Sequence, residues 1–319
     1  MRGDVTGAAF AVIATTFLGY VVLTNKGCEV AAEALLRTPL PAAWRAISAN
    51  RELCGWLDAT RGLQEQVATA RAFAQAARVS RLVRLDGQGH QLWETPFGPW
   101  WFPKGASKES VHFAIAQYQV TAYPGLAVRK GDVVLDCGGF VGDWSHWALQ
   151  AGAAKVVLFE PAAGQLECIR RNLAGPLRDG RVVLIPKGVW DREEELVLSH
   201  WDDNPAGHSV TDVRGPLGET ISLTTIDRVV EELGLDRVDA IKMDIEGAEV
   251  RAVHGARRTL ARFRPRLAIA TEHTADKFAN NRNVIAAVKS VAPFYKSRCG
   301  YCGVDRKNRI LPETLYFDP

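Results

Sequence analysis

The sequence predicts an α/β fold built on a doubly wound, mostly parallel sheet. Short apolar runs rich in Val, Ile and Leu alternate with stretches of helical periodicity, which is typical of parallel sheets covered by helices on both faces. Five of these runs fit buried strands, at residues 133–135, 156–159, 182–185, 239–243 and 267–270. Ligands of such sheets bind beyond the carboxyl ends of the strands, so polar residues that follow each run are candidate site residues.

A glycine-rich turn after the first of these strands is the clearest sign of a ligand site. Asp136 ends the strand, and Gly138, Gly139 and Gly142 follow before a helical stretch begins. Glycines let a backbone turn tightly and approach a ligand closely, while the N-terminus of a helix offers free N–H groups. Glu160 ends the next strand, where a carboxylate can accept hydrogen bonds from both hydroxyls of a ribose. These features predict a pocket for a nucleotide-like ligand.

Further ionisable residues follow the fourth and fifth strands. Asp244 and Glu246 come directly after the fourth strand, and His273 follows the fifth. Because the carboxyl ends of parallel strands meet at one edge, we expect these side chains to lie near the glycine turn. A positioned carboxylate or imidazole can take up a proton, so we assign Asp244, Glu246 and His273 as candidate catalytic groups. The same carboxylates could instead hold a divalent metal, since hard cations prefer oxygen ligands.

The N-terminal part of the chain has a different character. Residues 5–25 carry no charge, and as a helix they would extend about 30 Å at about 1.5 Å per residue, enough to span a membrane. We therefore predict a transmembrane helix or signal anchor, with a cleaved signal peptide and a buried helix as the alternatives. Basic residues are more frequent after this segment than before it, which predicts a single-pass membrane protein with its catalytic domain in the cytoplasm.

The remaining chain divides by composition. Residues 29–90 are rich in helix formers and predict a helical linker or cap, with helix expected as far as residue 85. Residues 91–319 hold the predicted catalytic domain, which opens with a Pro-, Gly- and Trp-rich hairpin or loop at 92–105. The net charge of only +3 gives no dense basic patch, so we expect no nucleic-acid partner.

The order of these motifs resembles the FkbM family of S-adenosylmethionine (SAM)-dependent methyltransferases. The resemblance covers roughly residues 98–272 and is carried by VVLDCGGFVG (133–142), VVLFEP (156–161), GVWDREEELVL (188–198), TISLTTID (220–227), VDAIKMDIEGAEVRAVHGA (238–256) and RPRLAIATEH (264–273). One departure is the pair Gly138–Gly139, where a glycine–alanine pair is usual. The resemblance implies the Rossmann-like fold of class I methyltransferases, SAM as cofactor and, in most members, transfer to a hydroxyl oxygen.

The resemblance also implies roles for individual residues. The SAM loop would be formed by Asp136, Gly138, Gly139 and Gly142, and the ribose hydroxyls would be bound by Glu160. Gly188 and Val189 would flank the adenine. Asp244 and Glu246 would lie where the methionine part of SAM and the acceptor meet.

The acceptor and two rival functions are left open at this point. The acceptor could be a small molecule, a glycan or a lipid-linked saccharide at the membrane. One rival is a nicotinamide-dependent oxidoreductase on the same sheet, although the G-x-G-x-x-G pattern of dinucleotide sites is missing. The other is a non-catalytic, membrane-anchored scaffold, against which the intact glycine loop and Glu160 argue.

Overall fold

The computed structural model describes residues 53, 56–120, 123–199, 217–274, 276–304 and 310–319. The membrane span predicted at 5–25 lies outside the described residues, as does the beginning of the predicted linker, and both stay predictions. Among the described residues, none of the helices combines the length and apolar character that crossing a membrane requires.

The first described elements are a long helix, a small antiparallel sheet and a second helix. In chain order they are α1 (Trp56–Val79), β1 (Arg81–Leu85), β2 (Gln91–Thr95), β3 (Gly98–Phe102) and α2 (Lys108–Val120). The three strands form their own sheet in the order β1-β2-β3, so the segment 92–105 is a hairpin.

The prediction of helix as far as residue 85 is wrong, because Arg81–Leu85 is a strand that pairs antiparallel with Gln91–Thr95. Helix α1 ends at Val79, and β1 gains backbone hydrogen bonds from a neighbouring strand that helix propensity cannot reveal. The predicted boundary between linker and domain, at position 90, therefore lies inside one β-hairpin, between β1 and β2.

The rest of the chain alternates strands and helices. The elements are β4 (Val133–Cys137), α3 (Asp143–Gln150), β5 (Lys155–Phe159), α4 (Ala163–Asn172), α5 (Ala174–Arg178), β6 (Val182–Ile185), β7 (Gly188–Val189), β8 (Glu194–Ser199), β9 (Leu217–Thr224), α6 (Ile226–Glu232), β10 (Ala240–Met243), α7 (Glu249–His254), α8 (Arg257–Phe263), β11 (Arg266–Ala270), α9 (Lys277–Val291), β12 (Lys296–Val304) and β13 (Ile310–Asp318).

Seven of these strands form the central sheet, in the order β12-β13-β11-β10-β4-β5-β6. The five strands from β11 to β6 are parallel, and β13 and β12 close the sheet with antiparallel pairing. The predicted mostly parallel sheet is therefore confirmed. The chain builds outward from β4 to β6 and then crosses to β10 on the other side, so the strand order reverses between β4 and β10. Ligands bind at such a reversal in open α/β sheets.

Helices cover both faces of the central sheet. Along each parallel strand, consecutive apolar side chains enter opposite cores: Val134 packs with Ile115 of α2 and Ile169 of α4, whereas Leu135 packs in the core that contains Val253 of α7 and Val284 of α9. Burial on both faces explains why the strands read as unbroken apolar runs rather than as alternating patterns.

Two details of the C-terminal half differ from the sequence prediction. The helix expected over 250–263 is two short helices, α7 and α8, separated at Gly255. A Cβ at Gly255 would overlap the carbonyl oxygen of Trp190, so the loop after β7 crosses the chain at this break. A third sheet, in the order β7-β9-β8, was not predicted, and it covers one end of the site described below.

The crossing at Gly255 leads to a stability prediction. We expect Gly255→Ala to lower the free energy of unfolding by about 1–3 kcal/mol, because the new methyl group must displace backbone rather than a flexible side chain. Gly87 is the matched control, since a Cβ there would meet no atom within 4 Å. Urea unfolding followed by tryptophan fluorescence measures both variants, and equal midpoints would contradict the close approach.

Candidate active site

A cavity of about 650 Å³ opens at the carboxyl edge of β4, β5, β10 and β11, beside the reversal of strand order. Its walls also include parts of α1, α2 and the β7-β9-β8 sheet. Among the lining residues are Phe73, Ser107, Ser110, Phe113, Gln117, Tyr123, Gly138, Gly139, Phe140, Asp143, Trp144, Glu160, Gly188, Val189, Leu198, Ile221, Lys242, Asp244, Ile245, Glu246, Glu272 and His273. The cavity therefore brings together residues from strands that are far apart in the sequence.

The glycine turn after β4 lies against the loop after β10. Gly138 has φ +81°, and a Cβ there would overlap the carbonyl oxygen of Asp244, so no other residue fits this position without movement. A Cβ at Gly139 would overlap the end of the Leu158 side chain, so an alanine here would require that leucine to shift. Gly142, with φ +85°, is the residue from which α3 begins.

Glu160 lies at the end of β5 and its carboxylate is held by two backbone N–H groups. Its Oε1 accepts from Ala162 and its Oε2 from Phe140, each at 3.0 Å. Burial raises the pKa of Glu160 to about 7, although both N–H donors and the charge of Lys242 act to lower it. The carboxylate is thus rigidly placed on the cavity wall and changes its charge near neutral pH.

Asp136 and Lys242 form a buried ion pair behind the glycine turn. Lys242 Nζ lies 3.1 Å from Asp136 Oδ1 and donates a short hydrogen bond to the carbonyl oxygen of Gly138. The Ser145 hydroxyl donates to Asp136 Oδ2 at 2.7 Å. Burial lowers the pKa of the Lys242 ammonium, but Asp136 and Asp244 more than reverse this effect and hold it above its usual value. The pair joins β4 to β10 where the strand order reverses.

The opposite part of the cavity contains one imidazole surrounded by four carboxylates. His273 Nε2 lies 3.3 Å from Asp244 Oδ1, 3.5 Å from Glu246 Oε1 and 3.8 Å from Glu272 Oε1. His273 Nδ1 lies 3.3 Å from Glu249 Oε1, which also accepts from the N–H groups of Ile245 and Gly247. Glu249 therefore holds the loop after β10 and the imidazole of His273 in place.

The charges of this cluster shift its pKa values in different directions. Burial lowers the pKa of His273, but the surrounding carboxylates outweigh burial and hold the pKa well above 6.5. Burial raises the pKa of Glu246 to about 8, with added repulsion from Asp244 and Glu249. For Asp244, burial is outweighed by the charges of Lys242 and His273 and by a 2.6 Å hydrogen bond from the Tyr123 hydroxyl, so its pKa is lowered. Asp244 is therefore ionised at neutral pH.

Comparison with known protein families agrees with this geometry. The model of the methyltransferase FkbM domain matches residues 136–301, just over half of the chain. The chain belongs to the FkbM methyltransferase family. The match includes the glycine turn, Glu160 and the whole carboxylate cluster.

Solved structures of low sequence identity are similar to parts of this chain. Methyltransferase FkbM from Methylobacillus flagellatus is 19% identical, with a TM-score of 0.43, and the match covers 80% of this chain and 60% of that chain. Spermidine synthase from Thermotoga maritima is 12% identical, with a TM-score of 0.40 and coverage of 75% and 72%. Precorrin-6y C5,15-methyltransferase from Geobacter metallireducens is 13% identical, with a TM-score of 0.37 and coverage of 66% and 90%. No curated protein matches the sequence.

Most of the predicted site residues of this FkbM-family protein line the cavity. They are Gly138, Gly139, Glu160, Gly188, Val189, Asp244, Glu246 and His273. Asp136 and Gly142 do not line it. Asp136 supports the glycine turn through its ion pair with Lys242, and Gly142 ends the turn where α3 begins.

Sequence reasoning missed several polar lining residues, among them Tyr123, Asp143 and Lys242. Lys242 had a signal, since a lysine inside an otherwise apolar buried strand needs a partner. The pKa of Asp143 is raised by burial to about 7, so it is a further group of the cavity that titrates near neutral pH.

The buried pair yields a prediction for this FkbM-family protein. We expect Lys242→Met to lower the free energy of unfolding by about 3–5 kcal/mol, because Asp136 would stay buried without its counter-ion. Adding Asp136→Asn should recover part of the loss. Lys187→Met is the control, since Lys187 is 39% exposed in its pair with Glu193 and should change stability by less than about 1 kcal/mol. Chemical unfolding of the three variants measures the difference, and a small effect of Lys242→Met would show that the pair is dispensable.

Proposed function

We propose that this FkbM-family protein transfers a methyl group from SAM to a hydroxyl oxygen of a small molecule, a glycan or a lipid-linked saccharide. One observation carries the proposal. A single cavity holds a fixed carboxylate suited to a ribose at one end and a cluster of carboxylates with an imidazole at the other. The first feature suits a nucleoside cofactor, and the second suits an acceptor that must lose a proton.

The residues of the cavity fit SAM. The backbone of Gly138 and Gly139 lies on the cavity wall, and α3 begins directly after the turn. Glu160 would accept the ribose hydroxyls, while Gly188 and Val189 would lie beside the adenine. SAM, when bound, supplies a methyl group already activated on its sulfonium. The protein then has to place the acceptor oxygen about 3 Å from that methyl group and in line with it.

The acceptor would enter from the side of α1 and α2. This wall combines two aromatic rings with hydroxyl and amide groups, contributed by Phe73, Phe113, Ser107, Ser110 and Gln117. Aromatic faces beside hydrogen-bonding groups suit a ring that carries hydroxyls, such as a sugar. The aromatic and polar composition of this wall supports a hydroxylated acceptor over a wholly apolar one.

At the acceptor end, we propose that Asp244 and Glu246 accept the proton of the acceptor hydroxyl and orient that hydroxyl. Asp244 is ionised at neutral pH and positioned by Tyr123, so its carboxylate can receive the proton of a hydroxyl. Glu246 lies beside Asp244, next to the same Nε2 of His273, and can orient the same hydroxyl. The raised pKa of His273 means that its imidazole already carries a proton, so it is unsuited to accept another. Its positive charge instead holds these carboxylates together.

The function is tested by transfer of labelled methyl from SAM into a cell extract separated into lipid, glycan and small-molecule pools. We expect label in one pool with the wild-type chain. Glu246→Gln should lower turnover by about 10²-fold or more while SAM affinity stays within about twofold, since only the acceptor end is altered. Label in none of the pools would contradict the function, and full turnover by the variant would remove Glu246 from the chemistry.

SAM affinity should depend on pH through Glu160. Its pKa in the protein is raised to about 7, so the carboxylate that accepts both ribose hydroxyls is ionised at pH 8 and mostly protonated at pH 6. We expect the SAM dissociation constant to rise about tenfold as the pH falls from 8 to 6. Isothermal titration of the full chain in detergent measures the constant, with NAD as the ligand that should not bind.

Two variants make the pH test specific to Glu160. Glu160→Gln should bind SAM about 10- to 100-fold more weakly and with little pH dependence, since a charged acceptor is replaced by a neutral one. Glu167→Gln removes the same charge on the outer face of α4 and should behave as wild type. A pH dependence retained by Glu160→Gln would assign the effect to Asp143 or Glu272, two further cavity groups with a pKa near 7.

A further inference from the structure

We propose that Asp244, Glu246 and His273 bind a divalent metal ion at the acceptor end of the cavity. This inference rests on the proposed function and deepens it, because an ion there would contact the hydroxyl of the acceptor and help to stabilise its negative charge as the proton leaves. The donors are two carboxylates and one imidazole, a mixed set that suits Mn²⁺ and neighbouring first-row ions.

The three side chains have the spacing of ligands to one ion. One donor atom from each residue lies within 4.8 Å of the other two. His273 Nε2 is 3.3 Å from Asp244 Oδ1 and 3.5 Å from Glu246 Oε1. Since nitrogen and oxygen ligands lie about 2.0–2.2 Å from such ions, two ligands of the same ion are separated by about 3–4.4 Å. Both distances from His273 Nε2 fall in this range.

The imidazole has the support that metal-binding histidines have. A ligating histidine usually donates its other N–H to a carboxylate, which fixes the tautomer and aims the free nitrogen at the ion. Glu249 Oε1 lies 3.3 Å from His273 Nδ1 and is itself held by the N–H groups of Ile245 and Gly247 at 3.2 Å. With Nδ1 donating to Glu249, Nε2 faces Asp244 and Glu246, and an ion bound there would replace the Nε2 proton, which leaves to solvent.

A separate observation points to a positive ligand. Glu249 is 1% exposed and its carboxyl group faces His273, yet its Oε2 has no hydrogen-bond partner among the described residues. Glu272 brings a fourth carboxylate, whose Oε1 lies 3.8 Å from His273 Nε2. The nearby ammonium of Lys242 is already bound to Asp136. Four carboxylates are gathered around one imidazole, and a divalent ion bound among them would favour their ionised forms and balance their charge.

The test is a titration of the full chain with MnCl₂, in detergent, after treatment with EDTA and in the absence of SAM. Bound Mn²⁺ is measured as loss of the electron paramagnetic resonance signal of the free ion. We expect saturation at about one Mn²⁺ per chain. Glu246→Gln and His273→Gln should each weaken binding by about 10- to 100-fold.

The matched control is Glu109→Gln, which removes one negative charge from an exposed position on the wall of the same cavity. It should bind Mn²⁺ like the wild type. Thermal unfolding shows that each variant is folded before it is titrated. Absence of saturable binding by the wild type overturns the proposal, and so does equal binding by all three variants, which would reveal only diffuse attraction to a negative cavity.

The test of the metal site and the test of the proposed methyl transfer can fail independently of each other. SAM-dependent methyl transfer that persists in EDTA, together with no Mn²⁺ binding, overturns the metal site and leaves the methyltransferase intact. Saturable Mn²⁺ binding lost in Glu246→Gln and His273→Gln supports the site even if no extract pool is methylated. The positive charge of SAM, rather than a metal ion, could balance the carboxylates. Tight SAM binding without Mn²⁺ binding would show this, and it too overturns the proposal.

Discussion

The buried ion pair between Asp136 and Lys242 is the interaction on which the site depends. It joins β4 to β10, where the strand order reverses and the cavity opens. Lys242 also binds the carbonyl oxygen of Gly138, so the ammonium that neutralises Asp136 holds the glycine turn in place. Burying either charge without the other would strongly destabilise the fold. The position of the glycine turn and the pairing of the two strands therefore depend on each other.

From this pair the cavity extends in two directions with different electrostatics. Toward β5, Glu160 is a single carboxylate fixed by backbone N–H groups. Toward β11, His273 gathers carboxylates that come from the ends of two strands and the first turn of α7. Because the two ends differ in charge density, they suit different groups: a neutral ribose at one end, and a proton or a metal ion at the other.

Much of the fold could be predicted from the sequence, and the errors share a cause. The five parallel strands were found because burial on both faces makes them continuously apolar. The strand at Arg81–Leu85 was mistaken for helix because its stability comes from β2, a partner that local propensity does not show. The break at Gly255 likewise depends on a distant backbone, that of Trp190.

The sequence by itself determined which edge of the sheet carries the site, since Glu160, Asp244, Glu246 and His273 all follow strands that end at that edge. It also determined the family, through motifs in a fixed order. Only the tertiary structure decided which position each of these residues takes in the site. Asp136 supports the turn rather than lining the cavity, and Lys242 links it to the neighbouring strand. His273 is surrounded by four carboxylates from three segments of the chain, and such a set of distances and charges exists only once the strands are side by side.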